Sequence, residues 1–141
     1  MKITITIDVD EAKLANSNRS KNKDSCDKPP SLYARFFNET SPAWNENAEY
    51  NLTFLRSQQM YANEMLKVRK YVFLNDVYDM LGLPRTKAGQ IVGWIYDEKN
   101  PIGDNCIDFG IFVWSNREFV NGHENTVLLD FNVDGNILDR L

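Results

Sequence analysis

Met1, Ile3, Ile5, Ile7 and Val9 alternate with Lys2, Thr4, Thr6 and Asp8 along the first nine residues. Successive side chains of an extended chain point to opposite faces, so this period of two predicts a β-strand over residues 1–9 with one buried face. The pattern then stops. Residues 16–25 carry no large apolar side chain, and Pro29-Pro30 closes the tract. Such a stretch buries too little surface to offset the entropy of ordering it. Residues 10–31 therefore read as a polar linker or loop, with a short helical turn near Glu11–Ala15, and residues 32–141 as one α+β domain.

Leu32–Phe37 reads as a second strand. The longest helical pattern follows over residues 48–70, where Leu52, Leu55, Ala62 and Leu66, with Phe54, Tyr61, Met65 and Val68, recur at spacings of three, four and seven. These residues predict one broad apolar stripe on a helix that no Gly or Pro interrupts. A short helix over about 75–81 comes next, capped by Asn75, with Val77, Met80 and Leu81 on its apolar face and Gly82, Leu83 and Pro84 ending it. Thr86 is placed to cap another short helix over about 86–92. Strands are then expected at Trp94–Tyr96, Cys106–Trp114 and Thr126–Val133, separated by turn-rich tracts at 97–105 and 115–125. Helices in the middle and strands towards the end predict a mainly antiparallel sheet of about five strands, packed by one long helix and two short ones.

Composition narrows the function classes. The chain has 141 residues, 43% of them apolar, including 8 Phe, 6 Tyr and 3 Trp, which is enough for a packed core without cross-links. A net charge of −4 supplies no global attraction to nucleic acid or anionic lipid. No apolar run approaches the ~20 residues of a bilayer span, and the alternating N-terminus is not the continuous apolar region of a secretory signal. The expected setting is a reducing cytoplasm. Cys26 and Cys106 read as free thiols. Asn38-Glu39-Thr40 and Asn51-Leu52-Thr53 match the glycosylation sequon by chance.

Two constellations suggest chemistry. Residues 75–92 have the outline of a helix-turn-helix, in which Arg85, Lys87 and Gln90 would meet phosphates and base edges. Against that stand Gly89 inside the second helix, Asp76 and Asp79 on the first, and too few cations for strong counterion release. A helical corner packed on the sheet fits better, and nucleic acid is a disfavoured partner. Asp130, Asn132 and Asp134, followed by Gly135 and Ile137, match the first half of a calcium loop. The bidentate Glu of such a loop would fall at Leu141, so a polar turn after a strand fits better and no cofactor is expected. His123 is the sole histidine, and neither cysteine lies in an activating motif, which disfavours a nucleophilic enzyme or a Cys/His zinc site.

The run FLNDVYDMLGLPRTKAG from Phe73 to Gly89 resembles a family of uncharacterised phage and prophage proteins of Gram-positive bacteria. So do Asn51–Leu55, Val92–Trp94, Ile107–Gly110 and Leu129–Gly135. The resemblance covers roughly residues 32–141 and is most specific between Phe73 and Trp94. Members of that family often carry a membrane-spanning or longer N-terminal region, from which this chain departs, so no membrane role carries over. The resemblance implies a phage origin and no mechanism. Together these readings predict a non-enzymatic accessory protein that binds a host or phage protein, with inhibition of a host defence system its most specific form. The alternatives are a virion-associated structural protein and a helix-turn-helix-like regulator. Tyr33, Trp44, Tyr50, Tyr61 and Trp114 are the candidate contacts, since Tyr and Trp anchor interfaces.

Overall fold

The computed structural model describes residues 30–141. The strand expected at 1–9 and nearly all of the polar tract lie outside the described residues. Residues 30–112 and 116–141 form one compact unit. Its elements in chain order are β1 (Arg35–Phe37), α1 (Ala48–Arg69), β2 (Tyr71–Phe73), α2 (Leu74–Leu81), a 3-10 turn at Ala88–Gln90, and β3 (Val92–Ile95). A 3-10 turn at Trp114–Asn116 leads into α3 (Arg117–Val120), followed by β4 (Val127–Leu129), β5 (Gly135–Asn136) and a last 3-10 turn at Leu138–Arg140.

The mixed α+β class holds, but the five strands divide between two small antiparallel sheets instead of forming one. β1 pairs with β4, Phe36 lying opposite Leu128. β3 lies between β2 and β5, with Val72 opposite Trp94 and Gly93 opposite Gly135. The core joins both sheets to the helices: Phe37, Leu55, Leu66, Tyr78, Trp94, Phe109, Phe119 and Leu129 are each at most 1% exposed. Tyr78 and Phe109 both meet the ring of Phe131 edge-on, with centroids 5.7 and 5.4 Å apart.

α1 starts where expected. The Asn47 side chain accepts from the backbone N–H groups of Glu49 and Tyr50, satisfying two donors that have no partner within the helix. It stops at Lys70, which takes the left-handed conformation (φ 74°) that glycine usually fills. A non-glycine residue there costs about 1 kcal/mol. Lys70 is held by its N–H to Leu66 O (2.7 Å), by its carbonyl accepting from Tyr96 N (2.9 Å), and by its ammonium 4.9 Å from the Tyr96 ring. One residue thereby turns a 22-residue helix into β2.

α2 differs at its start. Its N-cap is Phe73, whose N–H donates to the Asp76 carboxylate at 3.1 Å, so Asn75 does not cap it. Asn75 lies inside the helix, 8% exposed, and reaches across to Thr86. The end is as expected: Gly82 sits at φ 73°, and the Leu83 N–H returns to Tyr78 O.

The second short helix expected over 86–92 is a single 3-10 turn, Ala88–Gln90. Thr86 does accept the Gly89 N–H (2.9 Å), but Val92 already belongs to β3, where its β-branched side chain packs into the core. Within β3, Gly93 lies so close to β2 that a Cβ there would fall 2.1 Å from Val72 O.

The strand expected at 106–114 does not form. Ile107, Phe109 and Ile111 are buried in alternation, as a strand would bury them, but the backbone finds other partners. Ile107 N–H donates to the Asn63 side chain and Phe109 N–H to Gln59 Oε1, both on α1. Asp108 O and Phe109 O accept from backbone, at Asn132 N and Asp130 N. The final strand is likewise cut to Val127–Leu129, while Gly135–Asn136 pairs separately with β3. The tract at 115–125, read as polar turn, contains α3, which buries Phe119.

Candidate functional site

Four asparagines among the described residues use the side-chain amide in the same way. Each presents Oδ1 to the N–H and Nδ2 to the C=O of one other residue: Asn51 to Asn45, Asn63 to Ile107, Asn75 to Thr86 and Asn105 to Asp97. The N–H and C=O of an extended residue point the same way, so a carboxamide can meet both as a neighbouring strand would. The first three clasps fix loops onto helices, and the fourth ties two loop residues together, without lengthening a sheet. Asn132 extends the scheme. Its Oδ1 accepts from Trp94 Nε1 (2.9 Å) and Asp108 N (2.7 Å), and its Nδ2 donates to Asp104 and to Cys106 O.

The three candidate calcium ligands each have a protein partner. Asp130 accepts from Ser31 N and Oγ, Asn132 holds the hub just described, and Asp134 accepts Ile95 N–H at 3.0 Å. No three His, Cys, Asp or Glu side chains among the described residues are placed to hold a metal ion. Burial pushes the Asp134 carboxyl above the usual carboxylate range, Asp104 adding to the rise and the Ile95 hydrogen bond opposing it. Burial also raises the Cys106 thiol, helped by Asp104, Asp108 and Asp134. Cys106 is exposed and free.

The helix-turn-helix outline lacks its second helix. Arg85 is bound through two nitrogens to Asp79, with Nε 2.9 Å from Oδ1, and that hydrogen bond holds the Asp79 carboxyl below its ordinary value. Lys87 and Gln90 are exposed on the single turn that remains. His123 forms an exposed contact with Glu118, Nδ1 to Oε1 3.0 Å. A cavity of about 420 Å³ is lined by Asn47, Glu49, Leu52, Phe119, Val120 and Gly122. The helix N–H groups of Glu49 and Tyr50 beside it are already taken by Asn47. Of the sequons, Asn51 is fully buried and Asn38 accepts from its own loop at Thr40.

The expected aromatic contacts separate. Tyr33 is half-buried and its carbonyl accepts from Tyr78 OH, and Trp44 is half-buried with Nε1 2.7 Å from Asn125 O. Both serve the fold. Trp114 is exposed in the turn before α3. Tyr50 and Tyr61 share one flank of α1, 53% and 61% exposed.

Sequence spacing had merged two stripes on α1. At 3.6 residues per turn, Leu55, Ala62 and Leu66 face the core, while Tyr50, Phe54, Tyr61, Met65 and Val68 lie roughly 100° around the helix. Phe54 stacks on Phe37 and Met65 is half-buried, so the stripe is anchored along its inner side. Its outer side is open, with Val68 79% exposed. Met60, 68% exposed, lies roughly 80–100° further round the helix, on the side of Arg56, whose guanidinium lies over the exposed Phe112 ring at 5.9 Å. This flank runs about 27 Å along the helix. Met60 and Val68 were not among the expected contacts. The signal for Val68 was its seven-residue spacing from Phe54 and Tyr61.

Residues 3–141 match the family of unknown function DUF6353. The chain belongs to that family. The match reaches N-terminally beyond the span of 32–141 that carried the resemblance. No curated protein and no solved structure matches the chain. No helix among the described residues is long and apolar enough to cross a membrane. Among the described residues, then, five asparagines hold loops in place, and α1 presents an exposed apolar flank.

Proposed function

We propose that this chain is a non-enzymatic protein-binding module whose contact surface centres on the outer flank of α1. The observation that carries the reading is the solvent exposure of Tyr50, Tyr61 and Val68 on a helix that buries its other side. Isolated apolar residues on a surface need no explanation, but an aligned group on a rigid helix is the form a protein-binding surface takes. Aromatic and methionine side chains suit it, since they bring large contact area at low entropic cost. The resemblance to phage and prophage proteins directs the search towards a host or phage partner. Inhibition of a host defence factor is the most specific form of the proposal, and a place in the virion is its alternative.

The test is a photo-reactive residue at Tyr61, with Lys99 as a control on an exposed loop, in the full chain expressed in its bacterial cells. Discrete adducts at Tyr61 and none at Lys99 are expected. A Tyr61→Ser/Val68→Ser double variant should lose co-purifying protein while unfolding at the same temperature. Equal labelling at the two positions would refute the assignment of the surface.

A further inference from the structure

The outer flank of α1 has a property that names an occupant: it is complementary to itself when reversed. Phe54, Tyr61 and Val68 are spaced by seven, Tyr50 extends the stripe to its N-terminal end, and Met65 lies in it between Tyr61 and Val68. Sevenfold spacing keeps a seam facing one helical partner over its whole length. We infer that the α1 flank pairs with the same flank of a second copy of this chain, the two helices antiparallel about a twofold axis near residue 59. The inference rests on the reading of that flank as a protein-binding surface.

Three features support this occupant. Residues whose numbers sum to about 118 face each other in such a pair. Tyr50 then meets Val68 of the second copy, Phe54 meets Glu64 and Met65, and Tyr61 meets Ser57. Ser57 is the small position in the stripe, exposed, with its hydroxyl turned back to Phe54 O, and it leaves room for an incoming tyrosine ring. Charge makes the orientation specific. Glu49 lies in the first turn of α1 and Lys67 in the last, both exposed and on the same side of the helix. Antiparallel pairing sets Glu49 against Lys67 twice by symmetry. Parallel pairing would instead carry Glu49 and Lys67 to the opposite side of the seam from their copies, where no such ion pair forms, and would set Glu64 against Glu64, which like-charge repulsion disfavours. An isologous contact also closes on itself and leaves no open end for a fibre.

The full chain should sediment as a monomer–dimer equilibrium, shifting to twice the monomer mass as concentration rises. Lys67→Glu places two like-charge pairs in the seam and should weaken the dimer roughly tenfold. Glu49→Lys combined with Lys67→Glu should restore it, which a merely structural effect of either substitution would not do. A photo-reactive residue at Val68 of the purified protein should couple to residues near Tyr50 of the second copy. Coupling near Val68 itself would overturn the antiparallel arrangement. A monomer at every concentration, with heterologous adducts at Tyr61 in cells, would overturn self-pairing and leave the protein-binding reading standing. A monomer with no adducts in cells would overturn both.

Discussion

Asn63→Ala tests the idea that side-chain amides replace a sheet in this fold. Ile107 is 1% exposed, and both its N–H (2.7 Å to Oδ1) and its C=O (2.9 Å from Nδ2) are met by Asn63. Truncation leaves two buried backbone groups without that partner, at about 1–3 kcal/mol each. Ala is the better helix former by roughly 0.6 kcal/mol, which offsets part of the loss. The net expectation is a destabilisation of roughly 2–4 kcal/mol. The same clasp at Asn105 holds Asp97 in an exposed turn, where water can take over. Asn105→Gly, chosen because residue 105 has φ 56°, should therefore cost less than about 1 kcal/mol. Urea denaturation of the two variants reads the difference. Hydrogen exchange adds a local readout, with protection of the Ile107 amide falling further than that of Leu66 in α1. If Asn63→Ala unfolds within about 0.5 kcal/mol of the parent chain, the clasp is incidental and the reasoning fails.

Other outcomes follow from single contacts. Gly93→Ala should destabilise by about 3 kcal/mol or more in thermal melts, because the new methyl meets the Val72 carbonyl, a backbone atom that cannot swing aside. Asp134 keeps its proton to higher pH in the folded chain than in the unfolded one, so its ionisation removes stability as pH rises through the folded value. Asp134→Asn should hence be more stable than the parent at pH 7, with the gap closing below about pH 4; a gap that widens on acidification would contradict the assignment. Asp79 has the opposite sign, since Arg85 depresses its pKa, and its contribution is lost as pH falls. Cys106 should react with iodoacetamide at pH 7.5 more slowly than a free-cysteine peptide, because burial and three nearby aspartates disfavour its thiolate. An equal or faster rate would refute that account.

The sequence made some elements legible because local chemistry decides them. A Gly-free, Pro-free apolar pattern marks α1 to within a residue or two, and Gly82 before Pro84 ends α2. Residues 106–114 misled for a physical reason. Alternating burial is the strand signature, and Ile107, Phe109 and Ile111 obey it, but the hydrogen-bond partners come from Gln59, Asn63 and Asn132, far away in sequence. Periodicity reports which side chains are buried and is silent on what pairs the backbone. Asn75 shows the same limit: a good capping residue by type, it is drawn into the helix by a clasp on Thr86 eleven residues later. Of the aromatic candidates, Tyr50 and Tyr61 stand exposed on one flank, while Tyr33 and Trp44 are tied to Tyr78 and Asn125.

Asparagine side chains can serve a binding surface as readily as they serve a fold. In the folded chain an Asn that meets both backbone groups of another residue has little left to offer a partner, and Asn51, Asn63, Asn75 and Asn105 are all committed in this way. The functional signal therefore moves from the polar residues to the apolar ones. A helix packed on one side can bury an arc of roughly 100–140°, and the apolar residues of α1 span more than that. Packing the Leu55–Leu66 face necessarily leaves Tyr61 and Val68 outside, where they contribute little to the core. Residues that the fold does not use and that cost solubility call for another use, and contact with a protein surface supplies one. That contrast between a committed amide framework and an exposed apolar flank is why the proposed binding face is α1 and not the Phe73–Trp94 corner, whose Asn75, Asp79, Arg85 and Trp94 are engaged in its own shape.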